Sequence, residues 1–166
     1  MLNFVPVDDA SKIDAMCEIA SRIWHDHYTP ILGAAQVEYM VDKFQSPHAV
    51  TAQIRDSGYH YYLMDLDGQY AGFMGIQYEP QSLFLSKLYV DKPFRRQHLA
   101  SRAVDSLKAD CAKRGLSKIW LTVNRENAGS IAAYRKLGFR KVREEKTDIG
   151  HGYFMDDYIM EYRMEI

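Results

Sequence analysis

LYVDKPFRRQHLASRAVDSLKADCAKRGLSKIWLTVNRENAGSIAAYRKLGF, residues 88–139, reads as strand, turn, helix, strand, helix. Leu99, Ala103, Leu107 and Cys111 form one apolar stripe at helical spacing, and Arg114-Gly115 closes that helix with a basic last turn and a glycine beyond it. Ile119, Leu121 and Val123 then alternate as a strand. A helix between two strands of one sheet makes a right-handed crossover and sets them parallel. The polar residues gather at the two strand-to-helix junctions, where ligands of such sheets bind.

Outward from this stretch, the N-terminal side supplies a short strand (Leu2, Phe4, Val5, Val7) and an amphipathic helix from Lys12 to His27, with Asp8 and Asp9 available as caps. Thr29-Pro30 and Gly33 are expected to break it, and Val37 to Phe44 to form a second short helix. Ser46-Pro47 has the form of a cap with proline at the first helical position, opening a third segment that ends at Gly58. Next come YHYYLMDL, Asp67-Gly68 and QYAGFMGIQY, a hairpin signal because the turn needs positive φ. After Glu79-Pro80, SLFLSKLYV runs into the central stretch. On the C-terminal side, Phe139–Thr147 and Phe154–Met164 read as two late strands joined through the turn composition DIGHG.

The 166 residues suit one domain spanning 1–166, with a mixed α/β fold. A formal net charge of −1 gives no global attraction to nucleic acid or to an anionic membrane. No apolar run reaches the roughly 20 residues that cross a bilayer, and MLNFVPVDDA does not resemble a signal peptide, so the expected location is cytoplasmic. Cys17 and Cys111 are expected to be buried free thiols. His25 and His27 lack further spaced ligands, and no metal is expected.

At the first junction the unpaired N–H groups of a helix start meet Lys92, Arg95, Arg96, His98 and Arg102. A phosphate or pyrophosphate suits that place, and so does a solvated basic helix start. At the second junction Asn127 and Tyr134 are two helical turns apart and share a face. On their own they read more often as structural, a helix cap and a core-edge tyrosine.

Taken together, these motifs resemble the acyl-CoA-binding core of the GNAT superfamily of N-acetyltransferases. The resemblance implies a mostly antiparallel mixed sheet of about seven strands, a splayed parallel central pair and helices on both faces. It implies acetyl-CoA as cosubstrate, with the backbone of Leu88, Tyr89 and Val90 along the pantetheine arm and the turn Arg95-Arg96-Gln97-His98-Leu99-Ala100-Ser101 around the pyrophosphate. It further implies Asn127 and Ser130 near the pantetheine, and Tyr134 near the sulfur as general acid. In the family's arginine-x-x-glycine-x-glycine/alanine turn, the middle glycine is here His98. A helical φ/ψ at that position would tolerate the side chain, and that is the expectation taken here.

The implied reaction is direct attack of a primary amine, of a small molecule or polyamine, on acetyl-CoA. Other readings are a non-catalytic CoA-binding module and a protein N-terminal or lysine acetyltransferase. The strand SLFLSKLYV carries Ser86 and Lys87 but no carboxylate to act as base. Glu79 is the candidate, with His25 and His27 behind it. Trp24, Tyr28 and Tyr78 are candidates for an acceptor wall, and Glu38, Asp42, Asp156 or Asp157 for attracting a cationic amine. A homodimer stays open.

Overall fold

The computed structural model describes residues 1–165. Strand β1 (Leu2–Pro6) leads to helices α1 (Ala10–Leu32), α2 (Ala34–Gln45) and α3 (Pro47–Asp56), then to strands β2 (Tyr59–Leu66), β3 (Gln69–Tyr78) and β4 (Ser82–Val90). A 3-10 turn (Lys92–Phe94) precedes α4 (Leu99–Arg114), β5 (Lys118–Asn124), α5 (Ala128–Lys136), β6 (Arg140–Gly150) and β7 (Tyr153–Arg163). The sheet order is β1-β2-β3-β4-β5-β7-β6. β4 and β5 pair parallel, whereas β1–β2, β2–β3, β5–β7 and β6–β7 pair antiparallel. This is the mixed seven-stranded sheet that the sequence implies.

Local chemistry sets most boundaries. Asp9 caps α1 by accepting from the Lys12 amide at 2.8 Å, and Ser46 caps α3 by accepting from Ala49 at 3.2 Å. The Asp67-Gly68 turn has φ of 52° and 90°, the left-handed pair that a tight hairpin requires. One boundary differs from expectation: α1 runs through Pro30 and stops only at Gly33. A proline in the last turn forfeits one intrahelical bond, and the helix still closes through Gly33 N donating to Thr29 O at 2.9 Å. The real terminator is Gly33, at φ 87°. β6 also continues to Gly150, so the turn between the late strands narrows to His151-Gly152.

Contacts divide the chain into two compact units, and the division falls inside β4. The first holds Met1–Gln77 with Lys87–Ala100, the second Tyr78–Ser86 with the chain from Ser101 onward. In the first unit α1 packs on α2 and α3, and α3 on β2, burying Met16, Ile23, Met40, Leu63 and Phe73. In the second, Ala103, Val104, Leu107 and Cys111 of α4 are buried, as are Ile119, Leu121 and Val123 of β5. Lys108 of α4 donates to Leu137 O at 2.9 Å and lies 4.1 Å from the Tyr162 ring centroid. Both cysteines are buried and unpaired. Burial pushes each thiol up to about 11, which keeps it protonated and inert.

The first unit buries a lysine. Lys87 is 8% exposed, donates to the Tyr61 hydroxyl, to Gln53 Oε1 at 3.3 Å and to Phe44 O at 3.5 Å, and lies over the Tyr59 and Tyr61 rings. None of these partners is a carboxylate, and burial pushes its ammonium down to about 7. The unfolded chain holds this proton up to about pH 10, so stability rises with pH between about 7 and 10 and is lowest below 7. Lys87→Met should therefore raise the melting temperature by about 5 °C or more at pH 6, with the gain shrinking toward pH 10. Thermal melts across that range check this, and a lower melting temperature at pH 6 would contradict it.

Candidate active site

The parallel ladder between β4 and β5 covers only Ser82–Leu85 against Lys118–Leu121. β4 nevertheless continues to Val90, while the later part of β5 pairs with β7 through Thr122, Val123 and Asn124. Leu88, Tyr89 and Val90 thus lie beyond the end of the ladder. Gly72 of β3 lets this segment come close, because a Cβ there would overlap the Tyr89 carbonyl oxygen and lie 3.1 Å from Val90 Cα. The Tyr89 side chain is fixed on the α1 side: its hydroxyl is 2.9 Å from that of Tyr28, and its ring meets those of Trp24 and Phe73 at 5.8 and 5.5 Å. Buried Asp91 pairs with Arg22 and accepts from the Lys92 amide at 3.0 Å.

The chain then enters the basic turn. Arg95, Arg96, Gln97 and His98 are exposed, and Arg95 Nε donates to Val90 O at 3.1 Å. Arg96 and His98 have φ of 66° and 59°. The expectation of a helical backbone at His98 is therefore corrected: this position is left-handed, where a side chain costs about 1–2 kcal/mol relative to glycine. Left-handed residues just before a helix turn successive N–H groups into a concave array that suits an anion. With Leu99 buried as the first residue of α4, these amides and the surrounding cations fit a pyrophosphate.

At the second junction Asn127 is buried, and its side-chain oxygen accepts from the Ser130 amide at 3.3 Å, capping α5. Its own amide donates to Asn124 O at 2.9 Å, tying the cap to the end of β5. Tyr134 is half-buried and packs edge-to-face against Phe139 at 5.5 Å. Arg135 and Lys136 occupy the last turn of the helix.

The sequence profile described as "Acetyltransferase (GNAT) family" matches residues 14–139. The chain belongs to this family. It is an acetyl-CoA-dependent N-acetyltransferase. Among relatives, the ribosomal protein bS18-alanine N-acetyltransferase of Escherichia coli is 27% identical over 113 residues, covering 68% of this chain and 76% of that protein. An N-acetyltransferase of Mycobacterium tuberculosis is 24% identical over 148 residues, 89% of this chain and 94% of its own length. The fold is shared with PaiA N-acetyltransferase from Thermoplasma acidophilum, solved in complex with coenzyme A (TM-score 0.80, 18% identity, 98% of this chain and 99% of that one). It is also shared with the ribosomal-protein-S18-alanine N-acetyltransferase from E. coli (TM-score 0.73, 22% identity, 100% and 96%).

Within this GNAT chain the other sequence candidates divide. Glu79 accepts from Ser82 Oγ and from Trp120 Nε1, each at 2.6 Å. Ser82 opens β4 opposite Lys118, and Trp120 is two residues farther along β5, whereas Asn127 follows the far end of β5, roughly 13–20 Å along the strand. The structure therefore does not bring Glu79 together with the α5 residues. Tyr78 donates to Asp110, and Arg114 covers its ring at 4.0 Å, so this tyrosine anchors α4. Trp24 and Tyr28 are buried, at 4% and 9% exposure, and brace Tyr89 from behind. His25 is held between Ser21 O and Glu38, both at 2.7 Å. The Glu38 carboxylate, then the Ser21 carbonyl, raise its pKa, and both ring nitrogens are engaged. His27 packs against the Tyr28 ring at 4.8 Å.

The left-handed φ makes His98 a direct test of whether phosphates are held by backbone. His98→Gly should leave acetyl-CoA Kd within about threefold, under about 0.7 kcal/mol, and should not lower the melting temperature. Calorimetric titration checks this. A tenfold loss of affinity would assign binding to the imidazole itself.

Proposed function

We propose that this enzyme acetylates a primary amine of a small molecule or polyamine, by direct attack on acetyl-CoA in a ternary complex. The observation that supports the acetyl-CoA part of the reading is the early end of the β4–β5 ladder, which leaves Leu88–Val90 leading straight into the left-handed basic turn. In this reading the turn from Arg95 to Ser101 takes the pyrophosphate. Asn127 and Ser130 lie along the pantetheine, and backbone N–H groups at Tyr89 and Val90 stabilise the charge that develops on the thioester oxygen. Tyr134 protonates the departing sulfur.

A second reading has its own support. Ribosomal protein bS18-alanine N-acetyltransferases are the relatives at 27% identity, so a peptide with a free N-terminal alanine is the competing acceptor. Both acceptors present a primary amine to the same chemistry. Thiol release from acetyl-CoA with spermidine and with an alanine-initiated peptide distinguishes them. The proposal expects the larger kcat/KM with spermidine, and turnover of the peptide alone would replace it by the second reading.

For the acid, Tyr134→Phe should lower kcat by about 10²-fold or more with acetyl-CoA affinity unchanged. Unchanged kcat would remove the assigned role.

A further inference from the structure

The unassigned requirement of the reaction is a group that takes the proton from the acceptor ammonium. Asp157 of β7 is a buried carboxylate at the end of the sheet where β5 gives way to α5. Its register partner on β5 is Asn124, the last residue of that strand, and Asn124 O accepts from the Asn127 amide at the α5 cap. Its partner on β6 is Glu145. Asp157 is 7% exposed, and its Oδ1 has no hydrogen-bond partner among the described residues.

Strand alternation explains why it is left so. Successive residues point to opposite sheet faces and register partners share a face. Arg125, the nearest cation in sequence to this strand end, is taken up with Asp156 and Glu144, each at 3.1 Å, and lies over the Tyr158 ring. Lys141 also pairs with Glu144 and covers Tyr158. Those groups occupy the face opposite Asp157. Its own face carries Asn124 from β5 and Glu145 from β6, with Arg143 and Ile159 as the next register pair. Farther along that face lies a hollow of about 230 Å³ lined by residues that include Trp120, Ile159 and Glu161. An acceptor with a cationic head and an extended body fits this arrangement: its ammonium would meet the unpartnered Asp157 Oδ1.

We infer that Asp157 binds the acceptor's ammonium group and is the general base of the acetyl transfer. This rests on the transfer reaction proposed above. The carboxylate takes one proton from R–NH3+, and the freed lone pair forms the C–N bond to the thioester carbonyl carbon. The C–S bond breaks with its electron pair going to sulfur, which takes a proton from the Tyr134 hydroxyl. Tyr134 regains its proton from the second N–H of the new amide nitrogen, and the proton on Asp157 leaves to solvent. The products are the N-acetyl amide, CoA thiol and one proton.

Burial first, and then the Asp156 and Glu145 carboxylates, push the Asp157 carboxyl up to about 6. A base of that strength is charged at neutral pH and close to the range where proton acceptance is efficient. The same burial has a cost: the folded chain disfavours the carboxylate above about pH 6, so an isosteric amide should not destabilise the fold at pH 8.

Asp157→Asn is tested with spermidine and with the alanine-initiated peptide as probes. The wild type should show kcat/KM rising to a plateau with a midpoint near pH 6. The variant should lose about 10²–10³-fold at pH 7. Its rate should then climb with pH through 9, because only acceptor that is already neutral reacts. Acetyl-CoA Kd should stay within twofold, and the melting temperature at pH 8 should equal or exceed that of the wild type. If the variant keeps wild-type rate and pH profile, Asp157 is not the base while the transferase reading stands. A lower melting temperature together with weakened acetyl-CoA binding would make Asp157 structural and overturn the assignment. If wild type acetylates neither probe, the parent reading falls and this inference with it.

Discussion

The chain depends on where one parallel ladder stops. β4 and β5 share hydrogen bonds only as far as Leu85 and Leu121, although both strands continue. Backbone polar groups beyond that point need partners. β5 keeps its other edge paired with β7 through Thr122, Val123 and Asn124. On β4 the Val90 carbonyl accepts from Arg95, and the strand runs on into the turn at Asp91. A strand end without a neighbour on one side, followed at once by left-handed residues and a helix start, is a backbone prepared for a ligand with polar groups and phosphates.

Much of the surrounding structure serves to hold that segment. Gly72 removes a side chain from its path, and Tyr28, Trp24 and Phe73 fix the Tyr89 ring. Asp91 is buried and tied to Arg22. Two other buried groups work against stability: Lys87, whose ammonium burial disfavours, and Asp157, disfavoured as a carboxylate by burial and by Asp156 and Glu145. Buried ionisable groups without a countercharge are costly, and they concentrate where function selects them. They differ in surroundings. Lys87 is enclosed by Tyr61, Gln53 and the Phe44 carbonyl, whereas Asp157 Oδ1 has no hydrogen-bond partner among the described residues.

Most of the fold was legible because its punctuation is local. Asp67-Gly68, Ser46-Pro47, Gly33 and Gly115 act through backbone dihedrals and caps that a linear sequence displays. Pro30 misled because its cost depends on how much helix follows it, and only two more residues do. In the site, the motif positions from Leu88 to Ala100 and from Asn127 to Tyr134 were readable. The φ of His98 was not, since histidine occupies both helical and left-handed backbone. Glu79 looked available because its partners, Ser82 and Trp120, lie on two different strands. Asp157 was visible only as half of an Asp-Asp pair. The alternation in FMDDYIM sets Asp157 on the face of Ile159 and Asp156 on that of Tyr158, and register then decides which carboxylate meets Arg125.

The central claim is that the backbone at the end of β4 and in the turn after it receives acetyl-CoA. Amide hydrogen exchange with and without acetyl-CoA tests it most directly. Exchange should slow at Leu88–Val90 and at Gln97–Ser101, with the amides of β1 and β2 unchanged. Binding of acetyl-CoA that leaves Leu88–Val90 and Gln97–Ser101 exchanging at their free rates would contradict it.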